Sequence, residues 1–499
     1  MMKQYMETKS QYQDCILFYR LGDFYEMFFE DALTASRELE ITLTGKNCGQ
    51  EERAPMCGVP YHAVEGYLNR LVAKGYKVAI CEQVEDPKQA KGIVKREVVR
   101  IVTPGTNLDT QALDETKNNY IMCIVYIADR YGVSIADIST GDYFVTELPD
   151  GSRLMDEIYK FSPSEIICNE AFLVSGYDVE DLKSRLHMSV SSLESHMFDD
   201  DGCRRILMRH FKVNTLIGLG VEEFPTGILA AGALLQYLYD TQKTDLEHFT
   251  HISPYLTSKY MLLDSSTRRN LELTETLREK QKRGSLLWVL DKTKTAMGGR
   301  LLRNYIEQPL IDKEEMEKRL DAIQELNQDS ISRDEIREYL NPVYDLERLL
   351  SKVTYKTANP RDLIAFRNSL QMLPPIKTVL AGFQKEELAA IREEIDGLED
   401  IYQLIDEAIV EEPPISIREG GMIKDQFDET IDHLRAAKHD GKQWLVQLEE
   451  EDRERTGIKN LKIKKNNVFG YFFEVTNSYK DLVPEDYIRK QTLANAERY

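Results

Sequence analysis

An aromatic residue and a carboxylate, Phe24 and Glu26, stand two positions apart near the N-terminus, directly after Gly22-Asp23. The apolar segment 15–19 that precedes them is typical of a short buried strand, because aromatic and aliphatic side chains suit a pleated sheet. Residues two apart in an extended segment project from the same face. The spacing therefore predicts that an apolar ring and a carboxylate are presented together to one target.

The same stretch has a second interpretation, in which Phe24 belongs to a hydrophobic core. Phe24 is followed by Tyr25 and by the apolar segment 27–29, and phenylalanine is among the residues most often buried. Glu26 would then be a solvated charge at the end of a strand. Composition alone favours this second interpretation, so the rest of the chain has to decide between the two.

The charge of the chain is unevenly distributed. The 499 residues have a formal net charge of −21, which argues against a general polyanion binder. The first 452 residues contain 54 basic and 79 acidic residues, a balance of −25, whereas residues 453–499 contain ten basic and six acidic residues, a balance of +4. Any nucleic-acid contact driven by counterion release is therefore expected near the C-terminal end.

Other features of the composition exclude several classes of protein. The seven cysteines are scattered without a C-x-x-C pair, which argues for a reducing compartment and against a disulfide framework or a thiolate metal site. No stretch approaches the roughly 18 apolar residues of a membrane span, and the N-terminus lacks a signal-peptide pattern. We therefore predict a cytoplasmic protein with no membrane partner.

Hydrophobic patterns predict a multidomain protein that is α/β in its first half and then all-α. Residues 1–108 form a mixed α/β domain, with a helix over 29–40, strands over 41–44, 76–81 and 93–102, a polar loop over 45–60 and a helix over 63–74. Residues 109–250 contain a β-meander over 120–144 and a strand over 165–168. Residues 251–435 are predicted to be helical, with helical spacing over 286–290 among other segments. A long charged helix is expected over 424–454, and a β-hairpin with an asparagine turn is expected over 461–475, within the last segment, 436–499.

Two further features leave alternatives open. Lys462 and Lys464 alternate with apolar residues in the hairpin, so one face is basic; these lysines either bind phosphate or guard an edge strand against aggregation. Asp137 on the meander suggests a two-metal nuclease, but such chemistry needs several convergent carboxylates and no convincing second one is present. A strand-end aspartate is the better interpretation of Asp137.

Five segments in this order resemble the MutS family of DNA mismatch-recognition proteins. They are residues 17–26 (LFYRLGDFYE), 56–63 (MCGVPYHA), 100–106 (RIVTPGT), 295–303 (TAMGGRLLR) and 488–493 (IRKQTL). The resemblance implies a mismatch-binding domain over 1–108, a connector with a ribonuclease-H-like fold over 109–250, a helical core and lever over 251–435, and a β-rich clamp over 436–499. Phe24 and Glu26 match the family's Phe-x-Glu motif and become the expected mismatch-binding residues.

The resemblance also implies partners and a mechanism. The partners are duplex DNA with mismatches or small loops, a second copy in a homodimer, and a MutL-type protein, in the cytoplasm at the nucleoid. Phe24 would be an apolar wedge that tests how easily a duplex is unstacked and kinked. Glu26 is repelled by phosphates and is accommodated if it hydrogen-bonds a displaced base. The expected DNA-backbone contacts in the clamp are Lys464, Lys465, Arg489, Lys490 and Asn495.

The family's ATPase motif is not found in this sequence. The P-loop pattern G-x-x-x-x-G-K-[ST] has its nearest candidate at Gly45-Lys46, where Glu40 replaces the first glycine and Asn47 replaces the Ser or Thr. We therefore expect a truncated protein that lacks the ATPase domain, with no catalytic, cofactor-binding or metal-binding residues, although the full-length family member uses ATP and Mg²⁺. A purely structural helical scaffold is the remaining alternative.

Overall fold

The structure is a computed structural model, and it describes residues 1–47, 53–85, 94–109, 112–177, 179–185, 188–466 and 470–499. The chain divides into two compact units, Met1–Tyr402 and Gln403–Tyr499. The prediction of mixed α/β structure followed by a helical region is confirmed.

A six-stranded sheet with helices on both faces forms the N-terminal part of the first unit. Its elements are α1 (Met2–Gln11), β1 (Cys15–Leu21), β2 (Phe24–Phe28), α2 (Phe29–Leu39), β3 (Thr44–Lys46), β4 (Ala54–Pro60), α3 (Val64–Val72), β5 (Lys77–Gln83) and β6 (Arg96–Val102). The strand order is β3-β4-β2-β1-β5-β6. One face packs Phe18 and Met27 into a core with α2 and α3, and the other packs Leu17 and Phe28 against Tyr5 of α1.

Two predictions in this part are wrong. The strand expected over 41–44 lies at Thr44–Lys46, and the polar loop expected over 45–60 contains β4, which pairs with both β2 and β3. Pro55, Gly58 and Pro60 give β4 the composition of a loop. Its strand conformation depends instead on pairing with β2, which is distant in sequence. Residues 48–52 of the expected loop lie outside the described residues.

A second six-stranded sheet follows. Its elements are β7 (Ile121–Ile127), β8 (Arg130–Asp137), β9 (Asp142–Leu148), α4 (Gly151–Phe161), β10 (Glu165–Cys168), α5 (Glu170–Leu173), α6 (Val179–Arg185), β11 (Ser189–Ser192), α7 (Asp200–His210), α8 (Pro225–Gln242) and β12 (Ser253–Pro254). The order is β11-β10-β7-β8-β9-β12. Strands β7, β8 and β9 form the expected meander, and β10 has the predicted bounds.

Helices make up the chain from residue 265 to residue 408. They are α9 (Ser265–Asn270), α10 (Leu286–Leu290), α11 (Ala296–Glu307), α12 (Lys313–Gln328), α13 (Ser330–Leu340), α14 (Leu346–Thr354), α15 (Pro360–Leu370), α16 (Leu373–Leu380), α17 (Glu386–Glu394) and α18 (Glu399–Ala408). Helix α10 has the predicted bounds.

The second unit combines a long helix with a four-stranded sheet. Its elements are α19 (Glu429–Thr456), β13 (Lys462–Asn466), β14 (Gly470–Thr476), β15 (Gln491–Thr492) and β16 (Ala496–Arg498), with the order β13-β14-β16-β15. Helix α19 begins later than predicted because the side chain of Asp428 caps it by accepting from the amide of Ile431 at 2.9 Å. Strands β13 and β14 form the predicted antiparallel hairpin. Residues 467–469, between these two strands, lie outside the described residues, so the predicted asparagine turn stays a prediction.

Candidate nucleic-acid interface

Phe24 lies at the tip of the hairpin formed by β1 and β2. Leu21 pairs with Phe24, so Gly22 and Asp23 are the two central residues of the turn. Gly22 has φ +60°, and a type II′ hairpin turn requires a positive φ at this first central position. The tight turn places Phe24 at the first position of β2, at the end of the hairpin. Phe24 is 47% exposed there.

The exposure of Phe24 separates it from its aromatic neighbours. Tyr25, Met27 and Phe28 are all at most 4% exposed. Phe28 lies on the same face of β2 as Phe24, but Tyr5 of α1 packs against Phe28 with ring centroids 4.9 Å apart. The interpretation of Phe24 as a core residue is therefore wrong, because the helix covers only one end of that face.

Glu26 lies on the same face as Phe24, and its carboxylate is paired. The Lys46 ammonium lies 2.5 Å from its Oε2, and the Glu26 side chain is 19% exposed. Because β3 pairs with β4 and β4 pairs with β2, Lys46 lies on the same face as Glu26. Its side chain extends back along the sheet beside Phe28 to reach Glu26, with the ammonium 5.4 Å from the Phe28 ring centroid. Gly58 is the direct cross-strand partner of Glu26. Sequence reasoning missed Lys46 because it depended on recognising β4 as a strand.

The opposite side of the hairpin holds Tyr25 in place. The Tyr25 hydroxyl donates to the carboxylate of Glu82, and the Arg20 guanidinium lies 3.4 Å from the same carboxylate. Arg20 also stacks on Tyr61, with its guanidinium carbon 3.9 Å from the ring centroid. Burial raises the pKa of Tyr25, so it remains a neutral donor. Phe24 therefore projects from a strand that is anchored on its other face.

The sheet of the second unit has a basic outer face. Lys462, Lys464 and Arg498 lie on this face, together with one acid, Glu474. Glu474 accepts from Lys464 at 2.6 Å and lies 3.4 Å from Arg498. The hydrogen bond from Lys464 lowers the pKa of Glu474, so this acid is ionised. The face carries a net positive charge, and sequence reasoning did not single out Arg498.

Lys465 lies on the other face of β13. Consecutive residues of a strand point to opposite sides, and the Lys465 ammonium sits 5.2 Å from the ring centroid of Tyr471, its cross-strand partner. The structure therefore does not bring Lys464 and Lys465 together on one surface.

The remaining predicted contacts lie near β15 and β16. Arg489 is 3.4 Å from Glu497, which also binds Lys480 at 2.7 Å. Hydrogen bonds from Lys480 and from the Tyr499 hydroxyl lower the pKa of Glu497 to about 2. Lys490 and Asn495 are exposed. The ammonium of Lys490 has no hydrogen bond or ion pair with any described residue.

Asp137 is a structural carboxylate. It is completely buried, and it accepts from Asn118 at 2.9 Å, from the amide of Asn119 at 3.0 Å, and from the amide and hydroxyl of Ser139 at 2.8 and 2.7 Å. With four donors its lone pairs are occupied. In the described ranges no group of three or more His, Cys, Asp and Glu residues is placed to hold a metal ion. The nuclease alternative is not supported.

Across the described part of the chain, none of the helices has the length and apolar character that crossing a bilayer demands.

The fold and the two surfaces define a class of multidomain protein. It joins an α/β domain that presents an exposed aromatic and a paired carboxylate, a second α/β domain, a helical region, and a sheet with a basic face. Three domain profiles match the chain: MutS domain I over residues 1–111, MutS domain II over 119–252 and MutS domain III over 266–491. The chain belongs to the MutS family.

Curated relatives agree along the entire chain. Proteins named DNA mismatch repair protein MutS are 65% identical in Lachnoclostridium phytofermentans, 54% identical in Ruminiclostridium cellulolyticum and 53% identical in Acetivibrio thermocellus. Each alignment covers 100% of this chain, but only 54%, 57% and 57% of the respective relative. The chain thus spans about half the length of the curated relatives it matches.

Proposed function

We propose that this chain recognises mismatched or looped base pairs in duplex DNA and thereby starts mismatch repair. The observation that carries the proposal is the exposed Phe24 ring beside the Glu26 carboxylate at the tip of an anchored hairpin. The family membership and the names of the relatives support it. The buried, fully hydrogen-bonded Asp137 and the two α/β domains weigh against the nuclease and scaffold alternatives.

The mechanism we propose depends on the stiffness of the duplex. Phe24 inserts between bases and kinks the DNA, at a cost of a few kcal/mol for each unstacked step. This cost is lower where pairing is already weak. A ring stacked on a base regains about 1 to 3 kcal/mol whatever the base is. Because this gain is the same on either duplex, the lower unstacking cost at a weak pair decides the preference, and we expect mismatched duplex to be favoured by roughly one to two decades in affinity.

Glu26 and the basic sheet have separate roles in this proposal. Glu26 hydrogen-bonds a base displaced by the wedge, and repulsion between its charge and phosphate penalises duplexes that offer no such base. Lys464, Lys465, Arg489, Lys490 and Asn495 are the proposed contacts to the DNA backbone, which do not read sequence. Because Lys464 and Lys465 lie on opposite faces of β13, one duplex contacts at most one of these two lysines. We also infer that residues 109–250 act as a ribonuclease-H-like connector, that residues 251–435 form the helical core and lever, and that residues 436–499 continue from the lever into a clamp.

Partners and cofactors of a longer protein that contains this chain are also proposals. We infer a homodimer, a MutL-type partner, and hydrolysis of ATP with Mg²⁺, all from the family. No described residue of this chain is assigned to any of these three functions.

The substitution Phe24→Ala tests the proposal. It removes the wedge without disturbing the core, so we expect the preference for a mismatched duplex to fall by about tenfold or more while matched-duplex affinity changes little. Fluorescence anisotropy with both duplexes measures the ratio of the dissociation constants for matched and mismatched DNA. Phe427→Ala is the matched control, because Phe427 is 42% exposed and lies outside the N-terminal sheet. An unchanged ratio in a folded Phe24→Ala protein would refute the role of Phe24.

A further inference from the structure

A cavity of about 490 Å³ lies within the first unit, between the second sheet and the helical region. The end of α4 and residues 117–120 form one wall, and α9, the segment 273–280 and α11 form the other. This volume is within the range of small-molecule binding sites. The DNA-binding proposal makes no use of this cavity.

The lining of the cavity is strongly cationic, although the chain carries a net charge of −21. Its basic residues are Lys117, Lys160, Arg268, Arg269, Lys280 and Arg303, and its acidic residues are Glu275 and Glu307. A concave surface lined with charges of one sign concentrates counter-ions of the opposite sign. The charge of the wall therefore selects an anion.

Two guanidinium groups of the lining have unused donors, and one of these donors, the Nε of Arg303, is buried. The Nε of Arg303 is buried and has no hydrogen-bond partner, and its Nη1 lies 3.4 Å from Glu307, a long contact. Arg268 is half-buried; it donates from Nε to the carbonyl of Leu263 at 2.9 Å, and its two terminal nitrogens, which are not buried, have no partner among the described residues. A buried donor without an acceptor costs free energy. A bound anion would supply the missing acceptors.

The mouth of the cavity carries three more cations. Lys117, Arg269 and Lys280 are exposed, and their side chains make no hydrogen bond or ion pair with any described residue. Lys160 differs from them, because Glu157 neutralises it at 2.6 Å. Burial raises the pKa of the Glu307 carboxyl, whereas Arg303, Arg268 and Lys117 lower it, and the contact of Glu307 with Arg303 is long at 3.4 Å. Lys117, Arg269 and Lys280 at the mouth, with the unused donors of Arg268 and Arg303, can therefore contact one ligand.

The other lining groups suit a ligand larger than a simple ion. The hydroxyls of Ser162, Ser265, Thr274 and Thr276 offer donors and acceptors, and Tyr159 offers an aromatic ring. Guanidinium groups match the geometry of phosphate oxygens through paired N–H donors. We propose that this cavity binds a phosphate monoester of nucleotide size, with Arg268 and Arg303 on the phosphate and the hydroxyl wall on the sugar.

Titration of the 499-residue chain with adenosine 5′-monophosphate tests the proposal, with ribose 5-phosphate, inorganic phosphate and adenosine as parallel probes. We expect both phosphate esters to bind with a dissociation constant tighter than about 1 mM, inorganic phosphate to bind more weakly, and adenosine not to bind. Isothermal calorimetry gives the affinities. The phosphate esters should also raise the melting temperature, by an amount that grows with the logarithm of the ligand concentration once this exceeds the dissociation constant.

Two substitutions locate the site. Arg303→Gln removes an interior cation and is expected to weaken adenosine monophosphate binding about tenfold or more. Lys280→Gln removes an exposed cation that has no partner, so it leaves the fold intact and is expected to weaken binding about threefold. Arg278→Gln is the matched control, since Arg278 is exposed two residues away and does not line the cavity.

Several results would overturn the proposal. They are the absence of saturable binding, equal binding of adenosine and its monophosphate, or unchanged affinity in both Arg303→Gln and Lys280→Gln. Displacement of adenosine monophosphate by matched duplex DNA would assign the cavity to the DNA backbone instead. None of these outcomes depends on whether Phe24 recognises mismatches, so the two proposals fail independently.

Discussion

At the scale of single residues, the carboxylate beside the exposed ring already has a counter-ion. Glu26 and Lys46 are in contact at 2.5 Å with side chains 19% and 33% exposed. Lys46 also lies 5.4 Å from the ring centroid of Phe28. The pair lowers the local charge that an approaching duplex meets. In the proposed function, recognition through Glu26 would depend on how Lys46 divides its interactions between the carboxylate and DNA phosphates.

A double-mutant cycle on Glu26 and Lys46 measures this coupling. Glu26→Gln is expected to keep or strengthen affinity for all duplexes while narrowing the gap between mismatched and matched DNA. Lys46→Gln exposes an unpaired carboxylate to the phosphates, so it is expected to weaken binding to both duplexes by about fivefold. The double substitution should recover most of that loss, as measured by anisotropy at several salt concentrations.

Two results would contradict this account of the pair. If the effects of the two substitutions simply add, Glu26 and Lys46 act independently. If Glu26→Gln leaves the mismatch preference unchanged, Glu26 has no role in recognition.

At the scale of elements, the sequence predicts those strands and helices whose signals are local. The hairpin of β13 and β14, strand β10 and helix α10 follow from apolar periodicity and flanking turn residues. Strand β4 does not, because its prolines and glycine are typical of a loop and its pairing with β2 is non-local. The same limit applies to the candidate site. The position of Lys46 depends on the pairing of β3 with β4, and the exposure of Phe24 depends on how far α1 extends over the face of β2.

The two faces of β13 give a prediction for the basic sheet. Neutralising Lys464 and Lys465 together, as Lys464→Gln/Lys465→Gln, should weaken binding on all sequences and lower the salt slope by about 1.8 if each lysine neutralises one phosphate. Because the two side chains lie on opposite faces, a single DNA backbone can contact only one of the lysines. The salt slope is then expected to fall by about 0.9. Measuring log K against log salt for both single variants shows which face binds.

The control for this pair of substitutions also removes two lysine charges, but outside the basic sheet. Lys292→Gln/Lys313→Gln removes two exposed lysines outside the sheet, and its slope should equal that of the unmodified protein. An unchanged salt slope in Lys464→Gln/Lys465→Gln would indicate that these lysines do not contact DNA and instead protect an edge strand from aggregation.

The turn between β8 and β9 gives a prediction for pH. Burial, and then the nearby charge of Asp137, raise the pKa of Asp142 to about 6 from an ordinary value near 3.8. The folded state therefore holds a proton that the unfolded state has already lost between about pH 4 and pH 6. The Asp142 contribution to stability thus falls as pH rises through this window, by about 3 kcal/mol at most, and is constant above it.

Asp142→Asn tests this linkage, because an amide oxygen can still accept from Asn118. The variant should lose this fall in stability between about pH 4 and pH 6 and be more stable than the unmodified protein at pH 7. Hydrogen exchange of the β8 and β9 amides measures the local free energy of opening. Asp201→Asn, on the exposed surface of α7, is the control. A variant less stable at pH 7 would show that the Asp142 carboxylate stabilises the turn.

At the scale of the whole molecule, the helical region and the chain that links the first two sheets are joined by buried arginines. Arg300 is 3% exposed; it binds both oxygens of Asp345 at 2.7 Å, Glu347 at 2.6 Å, and the carbonyl of Glu115 at 2.9 Å. Arg348 donates to the carbonyls of Asp114 and Lys117 at 3.0 and 2.8 Å. The segment 114–117 is thus fixed to α11 and α14 by side chains distant in sequence.

Replacing Arg300 should therefore release this segment from the helices. Arg300→Met leaves Asp345 and Glu347 without their buried partner and is expected to destabilise the first unit by about 3 to 5 kcal/mol. Arg300→Lys keeps the charge but cannot bind both oxygens of Asp345 through a planar fork, so an intermediate loss is expected. Hydrogen exchange over residues 112–118, compared with that of β1 and β2, separates local release from general unfolding. If Arg300→Lys retains full protection over 112–118, charge alone fixes the segment and the bidentate geometry is dispensable.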